Sequence, residues 1–96
     1  MADRYVQGDT VWLKGSFYDR AGSLYDPTEV TLKIYDSGRQ LLSTITGDDV
    51  VHISVGVYEA PYVLPAYNSI VYEFSGKDSD GNVQLYRDTV EIQWAD

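Results

Sequence analysis

The sequence of 96 residues contains no cysteine and a single histidine, His52. Without thiols the chain has no disulfide framework and no thiolate metal site. One imidazole excludes metal sites built from several histidines and leaves a single candidate base for nucleophilic catalysis. The composition therefore predicts no metal and no cofactor.

Basic residues are also scarce, with 7 Lys and Arg against 15 Asp and Glu, which gives a formal net charge of −8. Such a charge repels phosphate backbones and anionic lipid, so nucleic acid and membrane surfaces are excluded as partners. No apolar run approaches the 18 residues of a membrane span. The start, MADRYVQGDT, lacks the basic-then-apolar layout of a signal peptide, so we expect the chain to act where it is made or to be packaged from there.

Strand-forming residue types dominate what is present. Val, Ile and Thr number 22 and the aromatic residues 13 of the 96, and turn signals recur at short intervals. No window keeps apolar residues at helical spacing for three turns, and no linker divides the chain. The sequence predicts one all-β domain, residues 1–96, with about seven short strands.

The alternation of apolar and polar residues places strands at residues 10–18, 30–36, 40–46, 50–55 and 57–64, followed by a closing hairpin. Ile53 is a plausible core residue of the fourth strand. Pro61 lacks a backbone donor, so we expect its strand to be an edge there or to end early. The predicted core consists of Val11, Leu13, Phe17, Leu32, Ile34, Tyr58, Tyr62, Tyr72, Phe74, Val90 and Ile92.

The closing hairpin has a preferred register, because a slip by one residue would mix its two faces. Three cross-strand pairs define that register: Ile70 with Val90, Phe74 with Tyr86, and Glu73 with Arg87. The register places Asp88 on the inner face near Tyr72, with Trp94 further along the same face. An inward carboxylate needs a hydrogen bond or access to water, which the Tyr72 phenol or a backbone amide can supply.

Two features resemble functional sites on first reading. His52 lies in a strand without a nucleophile beside it, and we interpret it as a solvated histidine at a strand edge. The DSDGN stretch at 78–82 resembles the start of a calcium loop, but Val83 and Thr89 occupy the positions where that loop requires Gly and Glu. We interpret it as an exposed turn without a high-affinity ion, with weak calcium binding as the alternative.

The acidic residues do not suggest an active site. Glu59, Glu73 and Glu91 fall on outward strand faces, whereas glycoside hydrolysis needs two acids facing a cleft. No phosphate-binding glycine loop is present. The sequence therefore predicts no enzyme. The nine tyrosines are strand residues with a buried ring and a wet hydroxyl, or alternatively a sugar-binding platform.

The outer face of the first strand is the candidate interface. Alternation directs Trp12 outward, and Trp and Tyr are enriched at binding hot spots. The interface is predicted from Trp12, Lys14, Tyr18, Val57, Glu59 and Val63. In the alternative interpretation, the N-terminal segment around Tyr5 and Val6, or a loop of the same domain, covers the indole.

Several strings resemble bacterial and phage immunoglobulin-like domains: GDTVWL at 8–13, DRAG at 19–22, DPT at 26–28, VTLKIYD at 30–36 and GVYE at 56–59. The resemblance covers nearly the whole chain and implies an immunoglobulin-like antiparallel β-sandwich of about seven strands. The chain lacks the cysteine pair and the core Trp of antibody domains, so antigen-like recognition by loops is not implied.

The resemblance implies a structural role in a virion, on the head, neck or tail of a tailed phage or prophage. The chain would be made in the host cytoplasm, and its partners would be other virion proteins or copies of itself. The alternative is a β-sandwich module that binds carbohydrate or a host surface.

Overall fold

The computed structural model describes residues 4–93, and nearly all regular structure in that range is β-strand. The strands are β1 Arg4–Val6, β2 Thr10–Ser16, β3 Thr28–Asp36, β4 Leu41–Thr46, β5 Val51–Ser54, β6 Val57–Val63, β7 Ser69–Lys77 and β8 Val83–Gln93. A short 3₁₀ helix, Gly47–Asp49, connects β4 to β5. Between residues 4 and 93 there is no helix that is long and apolar enough to cross a membrane.

Two sheets form the sandwich. One has five strands in the order β1-β8-β7-β3-β4, and the other has three in the order β2-β6-β5. Two pairs of consecutive strands, β3 with β4 and β7 with β8, are neighbours in the first sheet. β2 and β3 are also consecutive, but they lie in different sheets. This arrangement confirms the all-β sandwich, and its β8-β7-β3 and β2-β6-β5 groupings match those of immunoglobulin-like sandwiches.

The expectation of a purely antiparallel sandwich with about seven strands is wrong in one respect. The N-terminal segment Arg4–Val6 adds an eighth strand, and it runs parallel to the end of β8. Three residues are too few to show an alternating pattern, so this strand is not detectable from hydrophobic periodicity. All other strand pairs are antiparallel.

The core follows the predicted alternation closely. Every residue of the predicted core is buried except Tyr62, which is half-buried and packs against the core from its margin. Three further residues complete the core: Ala60, Leu64 and Ile70. The interior is therefore filled by apolar side chains from both sheets, as expected for a sandwich of this size.

The hairpin of β7 and β8 has the predicted register, with Ile70 opposite Val90 and Glu73 opposite Arg87. The guanidinium Nε of Arg87 donates to Oε2 of Glu73 at 2.9 Å. Asp88 stands opposite Tyr72, but it remains exposed and accepts a hydrogen bond from its neighbouring backbone amide at 2.8 Å. Trp94 lies outside the described residues.

Ile53 does not belong to the core, contrary to the expectation. It is 45% exposed, because β5 is a short edge strand whose pairing with β6 is irregular between His52 and Ser54. The expectation for Pro61 is confirmed. The pairing of β5 with β6 reaches only Glu59, so Pro61 has a strand neighbour on one side alone, which is β2. A proline is tolerated at such an edge, because no second strand needs its missing amide donor.

Candidate functional site

The outer surface of the three-stranded sheet, which we call the Trp12 face, presents Trp12, Lys14, Val57, Glu59, Pro61 and Val63. The β2–β6 register sets Trp12 opposite Pro61, and Val63 lies one pair further on the same face. Trp12 is 55% exposed and Val63 is 59% exposed. The rigid sheet thus holds an exposed apolar cluster at one end of this face.

A matched pair of charges occupies the middle of the Trp12 face. Lys14 stands opposite Glu59 in the β2–β6 register. The ion pairs formed within residues 5–93 join His52 to Asp26, Lys77 to Glu29 and Arg87 to Glu73, and neither Lys14 nor Glu59 takes part. One free cation and one free anion therefore give this face no net charge, although the chain carries −8.

Tyr18 is set apart from the other predicted interface residues. β2 ends at Ser16, and Tyr18 lies beyond it in an isolated bridge with Leu24. Its ring lines a cleft at the end of the sandwich together with residues of the β7–β8 loop. Of the six predicted interface residues, the structure brings five onto one face and leaves Tyr18 outside it.

The described part of the N-terminal segment, Arg4–Val6, leaves the indole of Trp12 more than half exposed. β1 pairs with β8 at the edge of the opposite sheet, so Tyr5 flanks a groove of about 300 Å³ that Trp12 also lines. Trp12 remains more than half exposed beside that groove. The outward direction inferred from alternation is confirmed, and the covering interpretation is wrong.

A second cluster, which sequence reasoning missed, is centred on the carboxylate of Asp26. His52 lies on the edge strand as expected, but its Nε2 donates to Asp26 Oδ1 at 2.9 Å, and its ring stacks on Tyr58 with centroids 4.8 Å apart. The same oxygen accepts from the Gly56 amide at 2.7 Å and from the Tyr58 hydroxyl at 3.4 Å. The carboxylate thereby fastens the β5–β6 turn to the β2–β3 loop.

In the observed geometry, the Asp26 cluster holds the β2–β3 loop against β5 and the β5–β6 turn. Within residues 5–93, the side chain of His52 makes its hydrogen bond to the Asp26 carboxylate. The Gly56 amide is the main cause that lowers the pKa of Asp26 from its ordinary value of 3.8, and the His52 side chain contributes further.

Acidification tests the role of Asp26. A carboxyl whose pKa is lowered by folding stabilises the native state above its unfolded pKa of 3.8, and that stabilisation is lost as the pH falls through the lower native value. We expect Asp26→Asn to lower the urea midpoint at pH 7, and the difference from wild type to shrink as the pH falls below 3.8. Asp48→Asn, which removes an exposed carboxylate of the 3₁₀ helix, is the control. A difference that persists unchanged at acid pH would contradict this role.

The loop at 78–82 is an exposed turn between β7 and β8, as predicted. Oδ1 of Asp78 accepts backbone amides of Asp80 and Asn82 at 2.9 Å, and the Asn82 amide is the main cause that lowers the pKa of Asp78. Across the described residues 5–93, no three carboxylate or imidazole groups gather as metal ligands would. We expect titration with calcium to leave the melting temperature nearly unchanged, because an ion that bound only the native state would raise it.

No protein-family model matches the chain, and no curated protein matches it. Among solved structures, CopC from Methylosinus trichosporium OB3b is similar, with a TM-score of 0.66 and 16% sequence identity. The alignment covers 99% of this chain and 86% of CopC. At that identity the likeness establishes the β-sandwich fold alone.

Proposed function

We propose that this protein is a non-enzymatic structural component of a virion that assembles through the Trp12 face. The observation that carries the proposal is the exposure of Trp12, 55%, on a rigid sheet rather than on a loop. An indole spans roughly 150–250 Å². Burying the exposed half at about 25 cal/mol per Å² is worth on the order of 2–3 kcal/mol.

A second copy of the chain is the occupant we commit to. A two-fold interface places the same surface on both copies, so the surface must complement itself. The Trp12 face carries one unpaired cation, Lys14, and one unpaired anion, Glu59, which two-fold pairing matches across the interface. Elsewhere the excess of acidic residues in a chain of charge −8 opposes the approach of a like-charged copy.

The virion setting rests on the resemblance of the GDTVWL, DRAG and VTLKIYD strings to phage immunoglobulin-like domains. The proposal that the chain is not an enzyme rests on the arrangement of its titratable groups. Asp26 and His52, the best-placed pair, are occupied in joining two loops. A filled apolar core is also consistent with a scaffold role.

Mass spectrometry of purified particles carrying the gene tests this function. We expect the polypeptide in particles at a fixed ratio to the major structural proteins, and we expect Trp12→Ala to abolish its incorporation. Leu85→Ala is the matched control, because Leu85 is also 55% exposed but lies on the other sheet. Absence of the wild-type chain from particles contradicts the virion proposal, and normal incorporation of the Trp12 variant contradicts the assigned face.

A further inference from the structure

The outer face of the five-stranded sheet contains a cleft of about 460 Å³, within the range of small-ligand sites. Most of its lining lies on the sheet opposite the Trp12 face, and Thr89 also borders the groove that Trp12 lines. The β3–β4 turn forms one wall, and the centres of β7 and β8 form its floor. Its lining includes Tyr35, Ser37, Arg39, Glu73, Arg87 and Thr89.

The turn that forms the wall belongs to a loop type that occurs three times in this chain. In each, Oδ1 of the first-residue aspartate accepts the backbone amide of the fifth residue. The carbonyl oxygen of the aspartate accepts the amide of the fourth residue, and its own amide donates to the carbonyl oxygen of the fifth. The three loops start at Asp19, Asp36 and Asp78. Repetition of one backbone geometry allows their fourth residues to be compared directly.

The fourth residue has a left-handed backbone in all three loops, but only two of them use glycine. Gly22 has φ 84° and Gly81 has φ 82°, whereas Arg39 has φ 68°. A residue with a Cβ is disfavoured in this region by roughly 1–2 kcal/mol. Glycine in two of the loops shows which residue this backbone conformation favours, and the third loop has Arg39 there instead. Strained non-glycine residues cluster at functional sites.

Arg39 is also the free guanidinium of this cleft. The other one, Arg87, donates through Nε and Nη2 to Glu73. Arg39 joins none of the ion pairs formed within residues 5–93. Asp36, which also lines the cleft, accepts the Gln40 amide through Oδ1. A planar donor that is always charged is suited to bind a carboxylate through two parallel hydrogen bonds.

The remaining groups favour a hydroxylated ring as the rest of the ligand. Tyr35 offers a half-buried aromatic ring, and Ser37 and Thr89 offer hydroxyls that both donate and accept. The second carboxylate oxygen of Glu73, which Arg87 does not use, is a further acceptor. We propose that this cleft binds an acidic sugar, with the carboxylate of the sugar held by Arg39 and its hydroxyls held by the floor residues.

Nuclear magnetic resonance titration with glucuronic acid and N-acetylneuraminic acid tests the proposal, with glucose as the neutral probe. We expect at least one of the acids at millimolar concentration to shift the amide signals of Tyr35, Arg39 and Thr89, and glucose to leave them in place. No shift with either acid overturns the proposal. Equal shifts with glucose overturn the role of the carboxylate.

Arg39→Gly gives two effects of opposite sign if the inference is right. Relief of the left-handed strain should raise the melting temperature by a few degrees. Loss of the guanidinium should weaken binding of the acidic sugar at least tenfold. Arg20→Gly, in the corresponding loop that starts at Asp19, is the matched control and should leave binding unchanged. A lower melting temperature overturns the strain argument, and undiminished binding overturns the assigned role of Arg39.

Discussion

Replacing Gly56 by alanine is expected to lower the free energy of unfolding by about 3 kcal/mol or more, a large share of the 5–15 kcal/mol typical of a domain. Gly56 has φ +73°, and a Cβ there would lie 2.9 Å from the backbone oxygens of both Phe17 and Tyr25. The Phe17 oxygen is held by the Tyr25 amide at 3.2 Å, and the Gly56 oxygen accepts from the Phe17 amide at 2.8 Å. A clash with hydrogen-bonded backbone cannot be relieved by a side-chain rotation, so its cost adds to about 1–2 kcal/mol for the left-handed conformation.

Two other glycines provide matched controls. Gly22 and Gly81 also have positive φ, but no atom lies within 4 Å of a Cβ built at either. Gly22→Ala and Gly81→Ala should therefore cost only the conformational part, about 1 kcal/mol each. Urea unfolding of the three variants measures the difference. Equal losses would show that the packing around Gly56 is looser than the structure has it.

Trp12→Ala is expected to weaken self-association by about 30-fold or more, since loss of a hot-spot aromatic costs at least about 2 kcal/mol. At concentrations where the wild type is monomeric, the same substitution should leave the melting temperature nearly unchanged, because Trp12 lies outside the core. Leu85→Ala removes an equally exposed side chain from the other sheet and should affect neither property.

The two readouts separate the possible errors. If Trp12→Ala unfolds readily, the indole stabilises the fold, and its exposure does not indicate a binding role. If the variant is as stable and associates as strongly as wild type, the interface lies on another surface. Thermal unfolding and light scattering at several protein concentrations measure the two properties on the same samples.

The alternation of residue types predicted much of this fold. In β2, in β7 and in the centre of β3, every second residue is apolar and faces inward. The strands and nearly all of the core could therefore be read from the sequence. The hairpin register was predictable because the Glu73–Arg87 pair and two apolar pairs agree on one alignment. β1 is too short to show a pattern, and Ile53 is exposed because an irregular edge strand does not follow the alternation.

The sites depend on contacts that alternation does not encode. The outward direction of Trp12 follows from strand geometry, and the neighbours Val57, Glu59 and Val63 follow from the pairing of β2 with β6. Asp26 and His52 are 26 positions apart, and only the folded loops bring them together. The aspartate-first loops at 19–22 and 78–81 were visible as turns. In the third loop, sequence reasoning would assign the left-handed conformation to Gly38, but Arg39 adopts it and Gly38 does not.

Sedimentation equilibrium of a charge-reversal series tests the central claim, that the Trp12 face binds a second copy of itself. Wild type should self-associate, and Lys14→Glu and Glu59→Lys should each weaken association, because each places like charges opposite one another across the two-fold interface. The double variant, Lys14→Glu with Glu59→Lys, should recover most of the lost affinity, since the opposite charges meet again with their positions exchanged. A monomeric wild type at all accessible concentrations, or reversals that leave association unchanged, would contradict the claim.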